Sequence, residues 1–137
     1  KKELTLLIIT NTIKKQSKGD CKMEKFMFIF RGGDTHVHTA KDSQEVKAYI
    51  QSWDTWMQGL GQKGILAGGD PLQTTGKLVN GKNKVVTDGP VMEAKEMVGG
   101  YLIVNANDID EAVEISMGCP IFEENGKVEV RQVQKRN

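Results

Sequence analysis

The sequence predicts an α+β domain in which two strand–helix–strand units share one sheet, with a β-hairpin inserted between them. Three observations carry this. Phe26-Met27-Phe28-Ile29-Phe30 is an unbroken apolar run, as expected of a central strand covered on both faces. Val46, Tyr49, Ile50, Trp53, Trp56, Met57 and Leu60 recur at three- and four-residue steps, which is one apolar stripe of a helix. Asn80-Gly81-Lys82-Asn83 separates Lys77-Leu78-Val79 from Lys84-Val85-Val86, a hairpin signal because Asn and Gly tolerate positive φ.

The elements follow in order. The first strand spans Glu24–Phe30 and ends at Arg31-Gly32-Gly33-Asp34, with loop as far as Lys41. Asp42 can cap the first helix with Glu45 three residues on, and Gly61 suits its left-handed stop. Two tryptophans on one stripe give this helix a large share of the core. Fully buried, each would cost roughly 3–5 kcal/mol on truncation to Ala. Gly64–Gly68 reads as a short buried strand closed by Gly69-Asp70-Pro71, and the hairpin comes next. After the charged stretch 88–96, Gly100–Ala106 is another strand. Asn107 or Asp108 caps a second helix, with Ile109, Ala112, Val113 and Ser116 or Met117 inward and Gly118 as its stop. Lys127–Val133 closes the chain as a strand. With the hairpin set aside, right-handed crossovers make this a split βαβ, ferredoxin-like sheet with both helices on one face.

Composition sets the outer bounds. The 137 residues fit one domain that can bury a core without disulfides or metal. A net charge of +1 argues against nucleic-acid binding through bulk electrostatics. Cys21 and Cys119 lie far apart with no CxxC or metal-like spacing, so no disulfide framework is expected and a reducing cytoplasm is the default compartment. Lys1-Lys2 before Leu4–Ile9 imitates the start of a secretory signal. The apolar run is too short, however, and the polar Asn11–Lys18 segment follows it without a cleavage site. It is also far below the length that spans a bilayer. Met23 stands directly before the first strand, so residues 1–22 read as an N-terminal extension and 23–137 as the domain. Leu4–Ile9 is expected to add a strand or to pack on a neighbour.

The strand Gly100–Ala106 is apolar on both of its faces, with Tyr101 and Ile103 on one and Leu102, Val104 and Ala106 on the other. Two helices cover only one face of a sheet, so a homodimer packed sheet on sheet is the expected cover for the other. The alternative is that the hairpin and residues 1–9 cover it within one chain.

Asp88-Gly89-Pro90-Val91-Met92-Glu93-Ala94-Lys95-Glu96 packs a tight turn and several ionisable side chains into one connection, a density that turning alone does not need. Asp88, Glu93 and Glu96 offer carboxylates; Lys95 and Arg31 offer cations. Together they suit acid–base work or a small polar ligand. A structural role competes: Asp88 in an Asx turn, the glutamates paired on the surface, or Lys95 and Glu96 paired across a dimer. His36 and His38 have a spacing that suits metal on a strand, but a third ligand is not apparent nearby, so no metal is expected. They read as an exposed loop pair, or as a base folded over a cleft. Trp53 is core or cleft lining. The paired glycines form no phosphate-binding pattern, so no nucleotide or other cofactor is expected.

The run Thr87-Asp88-Gly89-Pro90, Glu93, Lys95-Glu96 and Gly99-Gly100-Tyr101, with Val128-Glu129-Val130-Arg131, resembles the DGPF family of the YCII-related proteins from about Glu24 to Val133. Val91 stands where that family has an aromatic residue. The resemblance implies a dimeric α/β-barrel, in which two ferredoxin-like sheets face each other with a cleft near each. It also implies an acid–base pair of Asp and His, the His on the first helix. Counting back from Leu60 puts Trp53 at that position, and an indole cannot transfer protons near neutrality. Asp34 loosely matches the family's Asp at the end of the first strand.

The expected function is a small-ligand-binding or cofactor-free acid–base homodimer. Its cleft would be lined by Arg31, Trp53, Asp88, Gly89, Pro90, Glu93, Lys95 and Glu96, with Asp88, His36 and His38 as catalytic candidates. A non-enzymatic module associated with sigma-factor-like regulators is the alternative, and a cofactor-free monooxygenase of the same barrel fold is a third reading.

Overall fold

The computed structural model describes residues 23–33, 44–89 and 96–136. The extension 1–22, the 34–43 loop with Asp34, His36, His38 and Asp42, and the 90–95 segment with Pro90, Glu93 and Lys95 lie outside the described residues. Chain order is β1 (Glu24–Arg31), α1 (Gln44–Gln62), β2 (Leu66–Pro71), β3 (Gly76–Asn80), β4 (Val85–Gly89), β5 (Val98–Ala106), α2 (Ile109–Ser116), a 3₁₀ turn (Pro120–Glu124) and β6 (Lys127–Gln132). Four strands form one antiparallel sheet in the order β2-β5-β1-β6, while β3 and β4 form a separate two-stranded sheet. The molecule is thus α+β with antiparallel sheets, and the four-stranded sheet is open rather than a closed barrel. No helix among the described residues is long and apolar enough to cross a membrane.

The pleat of β1 organises the core. Side chains alternate across a strand, so Phe26, Phe28 and Phe30 share one face and are buried, while Met27, Ile29 and Arg31 share the other and are half-buried. Phe26 pairs with Val104 and Phe28 with Leu102 on β5; Phe28 and Phe30 face Val130 and Val128 on β6. Leu60, Ala112, Cys119 and Ile121 close this layer from the helical side. Among the described residues, the apolar run therefore has full cover on one face only. The expectation of cover on both faces comes from composition, which cannot separate a buried face from one left for a partner.

The α1 stripe packs less deeply than its periodicity suggests. Val46 and Leu60 are buried, and Trp53, Trp56 and Met57 pack partly against the core. Ile50 is 52 % exposed, because α1 lies over β2 and the 3₁₀ turn and leaves one edge of the stripe uncovered. The tryptophans are half-buried as well, so the full-burial cost does not apply to them.

Gly61 does not stop the helix. Gly64 does, at φ 72°, where the Ile65 N–H donates to the Leu60 carbonyl (2.9 Å) and the Gly64 N–H to that of Gly61 (3.1 Å). These are the two bonds of a Schellman cap, for which Gly61 supplies an acceptor.

Asp108 caps α2, its carboxylate accepting from the Glu111 N–H at 2.8 Å, while Glu111 reaches back to the Asn107 N–H at 3.2 Å. This resembles a capping box shifted by one residue. Ala112 and Ser116 face inward, but Ile109 and Met117 do not; Met117 is 62 % exposed. The chain leaves α2 through Met117 in the right-handed region. The left-handed residue comes later, at Asn125 (φ 62°), after the 3₁₀ turn that Pro120 opens. Gly118 is the first residue past the cap, so the helix stops there as expected, though without a left-handed turn.

Two measurements check this packing. Phe28→Ala should lower unfolding stability by about 3–5 kcal/mol, whereas Ile50→Ala should stay within about 0.5 kcal/mol, both read from urea midpoints. Burial pushes the Cys119 thiol up to about 12. It should therefore resist alkylation in the native protein near pH 8 and react once the chain is unfolded in urea, as peptide mass mapping would show. Because its folded pKa is raised, the stability tied to Cys119 is complete below the unfolded value near pH ~9 and is lost as pH climbs toward the folded value.

Candidate functional site at the end of the first strand

Arg31 is the last residue of β1, opposite Val98 on β5 and Lys127 on β6, beyond a register shift after Phe30. There the chain turns away from the sheet through Gly32 and Gly33, both at positive φ (73° and 92°), and the Gly32 N–H donates to the Met97 carbonyl at 3.0 Å. Non-glycine residues rarely adopt such angles. The turn leaves Arg31 projecting from the sheet face that carries no helix among the described residues.

An ion network gathers around it. The Arg31 Nε donates to Glu129 Oε1 at 3.1 Å, and its Nη1 to the backbone carbonyl of Glu96 at 3.2 Å. Lys127 Nζ pairs with the Glu96 carboxylate at 2.5 Å, and Arg131 Nε approaches Glu129 Oε2 at 3.8 Å. Three cations and two carboxylates thus line β1 and β6 from the Arg31–Lys127 end to Arg131 opposite Met27, next to the half-buried apolar side chains Met27, Ile29, Tyr101 and Ile103. Each pair is partly solvated, so it is worth at most about 1 kcal/mol. Its stronger effect is positional, since it ties the 96–98 segment to the sheet end. Chemically, such a cluster can exchange a carboxylate partner for a ligand anion.

Among the described residues, Trp53, Asp88 and Gly89 lie outside this cluster. Trp53 lies on the helical side, edge-on to Phe30 (ring centroids 5.0 Å apart, 88° between planes), with Trp56 at 5.8 Å and Tyr49 at 6.3 Å. Phe30 and Arg31 point to opposite faces of one strand, so Trp53 and Arg31 are separated by the sheet. Trp53 serves an aromatic cluster.

Asp88 and Gly89 end β4, in the separate hairpin. Asp88 sits directly across from Lys77 and pairs with it; its side chain is 87 % exposed. The buried setting that would tune Asp88 for proton transfer is absent. Glu96 is the one member of the charged connection, among the described residues, that joins Arg31. His36, His38, Pro90, Glu93 and Lys95 lie outside the described residues. Among the described residues, no group of His, Cys, Asp or Glu is arranged to hold a metal.

Glu129, Lys127 and Arg131 are the partners that sequence reading passed over. Their signal was present in the alternation Lys127-Val128-Glu129-Val130-Arg131, which puts all three charges on one face and both valines on the other. The sequence does not fix the register that sets Lys127 across from Arg31 and Glu129 across from Ile29.

Glu129→Gln should lower stability by less than about 1 kcal/mol in urea titrations at low salt, with the difference from wild type shrinking in about 0.5 M NaCl. A larger loss, or one indifferent to salt, would mean the network is buried rather than solvated.

The YCII-related domain family matches residues 36–137, which is more than half of the chain; β1 and Arg31 precede the matched region. No curated protein matches the sequence.

Proposed function

We propose, from the premise that this chain belongs to the YCII-related domain family, that it acts as a ligand-binding homodimer pairing the bare faces of two ferredoxin-like sheets. The strand order β2-β5-β1-β6 supports the ferredoxin-like reading, because β5 lies between the two strands joined by α1, and β1 lies between the two joined by α2. The observation that carries the proposal is a sheet face with no helix on it among the described residues. Met27, Ile29, Tyr101 and Ile103 form an apolar centre with Arg31 and its ion network at one end. An apolar sheet face needs cover, and a second copy supplies a matching one by two-fold symmetry.

The ligand in this reading is a small carboxylate held at the Arg31 end, where the guanidinium fork suits planar anions. Binding is better supported than acid–base catalysis, because the exposed Asp88 is engaged with Lys77.

Sedimentation and thermal shift test both halves. Ile103→Glu should halve the assembly mass; an unchanged mass would rule out the sheet-face dimer. In a screen of small carboxylates, a binder at about 100 times its Kd should add about 2.7 kcal/mol to wild type and much less to Arg31→Gln. Equal stabilisation of the two proteins would remove Arg31 from the site.

A further inference from the structure

Two surfaces of opposite character stand out away from the bare sheet face. The first is the β3–β4 hairpin. It pairs with no strand of the main sheet, and its register places the Val79–Val86 pair on one face and Leu78 and Val85 on the other. All four are exposed, Val79 and Val86 by 61 % each. A two-stranded hairpin alone is marginal in water, so apolar side chains on both of its faces call for cover. It also carries Lys77, Lys82 and Lys84 against Asp88, which gives it a basic tip.

The second surface is an open cavity of about 590 Å³ between α1 and the 3₁₀ turn. Trp56, Met117 and Phe122 supply its apolar wall, and Glu123 lies in its lining. One side is formed by residues between Met117 and Glu123, and the stretch around them, from Asn107 to Gly126, holds Asp108, Asp110, Glu111, Glu114, Glu123 and Glu124 and no Lys or Arg. Burial pushes the Tyr49 hydroxyl up, against a lowering hydrogen bond with Trp53, and the Glu124 and Glu123 carboxylates add a smaller push in the same direction.

We propose that the hairpin of one copy seats in this cavity of a second copy, and reciprocally. Val79 and Val86 would lie against Trp56, Met117 and Phe122, with Lys82 and Lys84 beside Glu123 and Glu124. Charge complementarity selects this occupant. Hairpin against hairpin would oppose lysines, and cavity against cavity would oppose carboxylates, whereas hairpin against cavity matches sign as well as apolarity. Every copy carries both surfaces, so the contact is satisfied at equal stoichiometry. Reciprocal exchange about a two-fold axis closes it; a one-way contact would run on into a filament. The contact uses neither the bare sheet face nor Arg31, so it stands apart from the ligand-binding reading.

Charge reversal in the full chain, followed by sedimentation velocity, tests it. The double variants Lys82→Glu with Lys84→Glu, and Glu123→Lys with Glu124→Lys, should each halve the wild-type mass. An equimolar mixture of the two should restore it, because each reversed surface then meets its complement on the other protein. Wild-type mass in either variant alone, no recovery on mixing, or a monomeric wild type would overturn the proposal. Wild type itself gives a parallel readout that does not depend on a variant folding. Its mass should fall between about 50 mM and about 0.5 M NaCl, and a mass indifferent to salt would count against the contact. Ile103→Glu reads the sheet face separately: it should halve the mass with the hairpin contact intact, so failure of one interface is distinguishable from failure of the other.

Discussion

The two-residue pleat of β1 is the constraint on which the rest of the structure depends. It sends Phe26, Phe28 and Phe30 to one side of the central strand and Met27, Ile29 and Arg31 to the other. Three buried phenylalanines require an apolar layer above them, so α1, α2 and the 3₁₀ turn gather there, and the register with β5 and β6 sets Leu102, Val104, Val128 and Val130 around them. A shift of one residue would exchange the faces and bury Arg31. The helical layer and the ion network are therefore two consequences of one alternation.

That alternation also separates side chains that adjacency in sequence would unite. Phe30 and Arg31 are neighbours in the chain, yet Phe30 belongs with Trp53 and Arg31 with Glu129 and Glu96. A single cleft containing Arg31, Trp53 and Asp88 needs three side chains that the backbone sends in three directions. Asp88 is committed by hairpin register to Lys77, eleven residues away. What remains near Arg31 among the described residues is a cluster of ion pairs beside a half-buried apolar face.

Local devices were legible to differing degrees, and each difference has a physical source. The Asp108 cap and the turn after Asn80 depend on neighbouring residues alone, and they stand where the sequence puts them. The stop of α1 falls at Gly64 instead of Gly61, because two glycines compete and the winner is the one that lets Ile65 close back onto Leu60 before entering β2. Ile50, Ile109 and Met117 satisfy a helical stripe yet remain exposed, since a stripe records which side chains share a face and not how wide a surface will cover it. The 3₁₀ turn after α2 gave only weak signals, Pro120 and Asn125, and it supplies both the wall of the cavity and the burial of Cys119.

The amino-acid order by itself determined the number and type of the principal elements, the hairpin, the cap of α2 and the resemblance to the YCII-related family, because these rest on short-range periodicity and turn chemistry. Only the tertiary structure decided the register of β5 and β6 against β1, that Glu129 and Lys127 rather than Asp88 are brought beside Arg31, and that the hairpin forms a sheet of its own. Register is chosen by long-range burial of the phenylalanine face, and that choice has no signature in any local window of sequence.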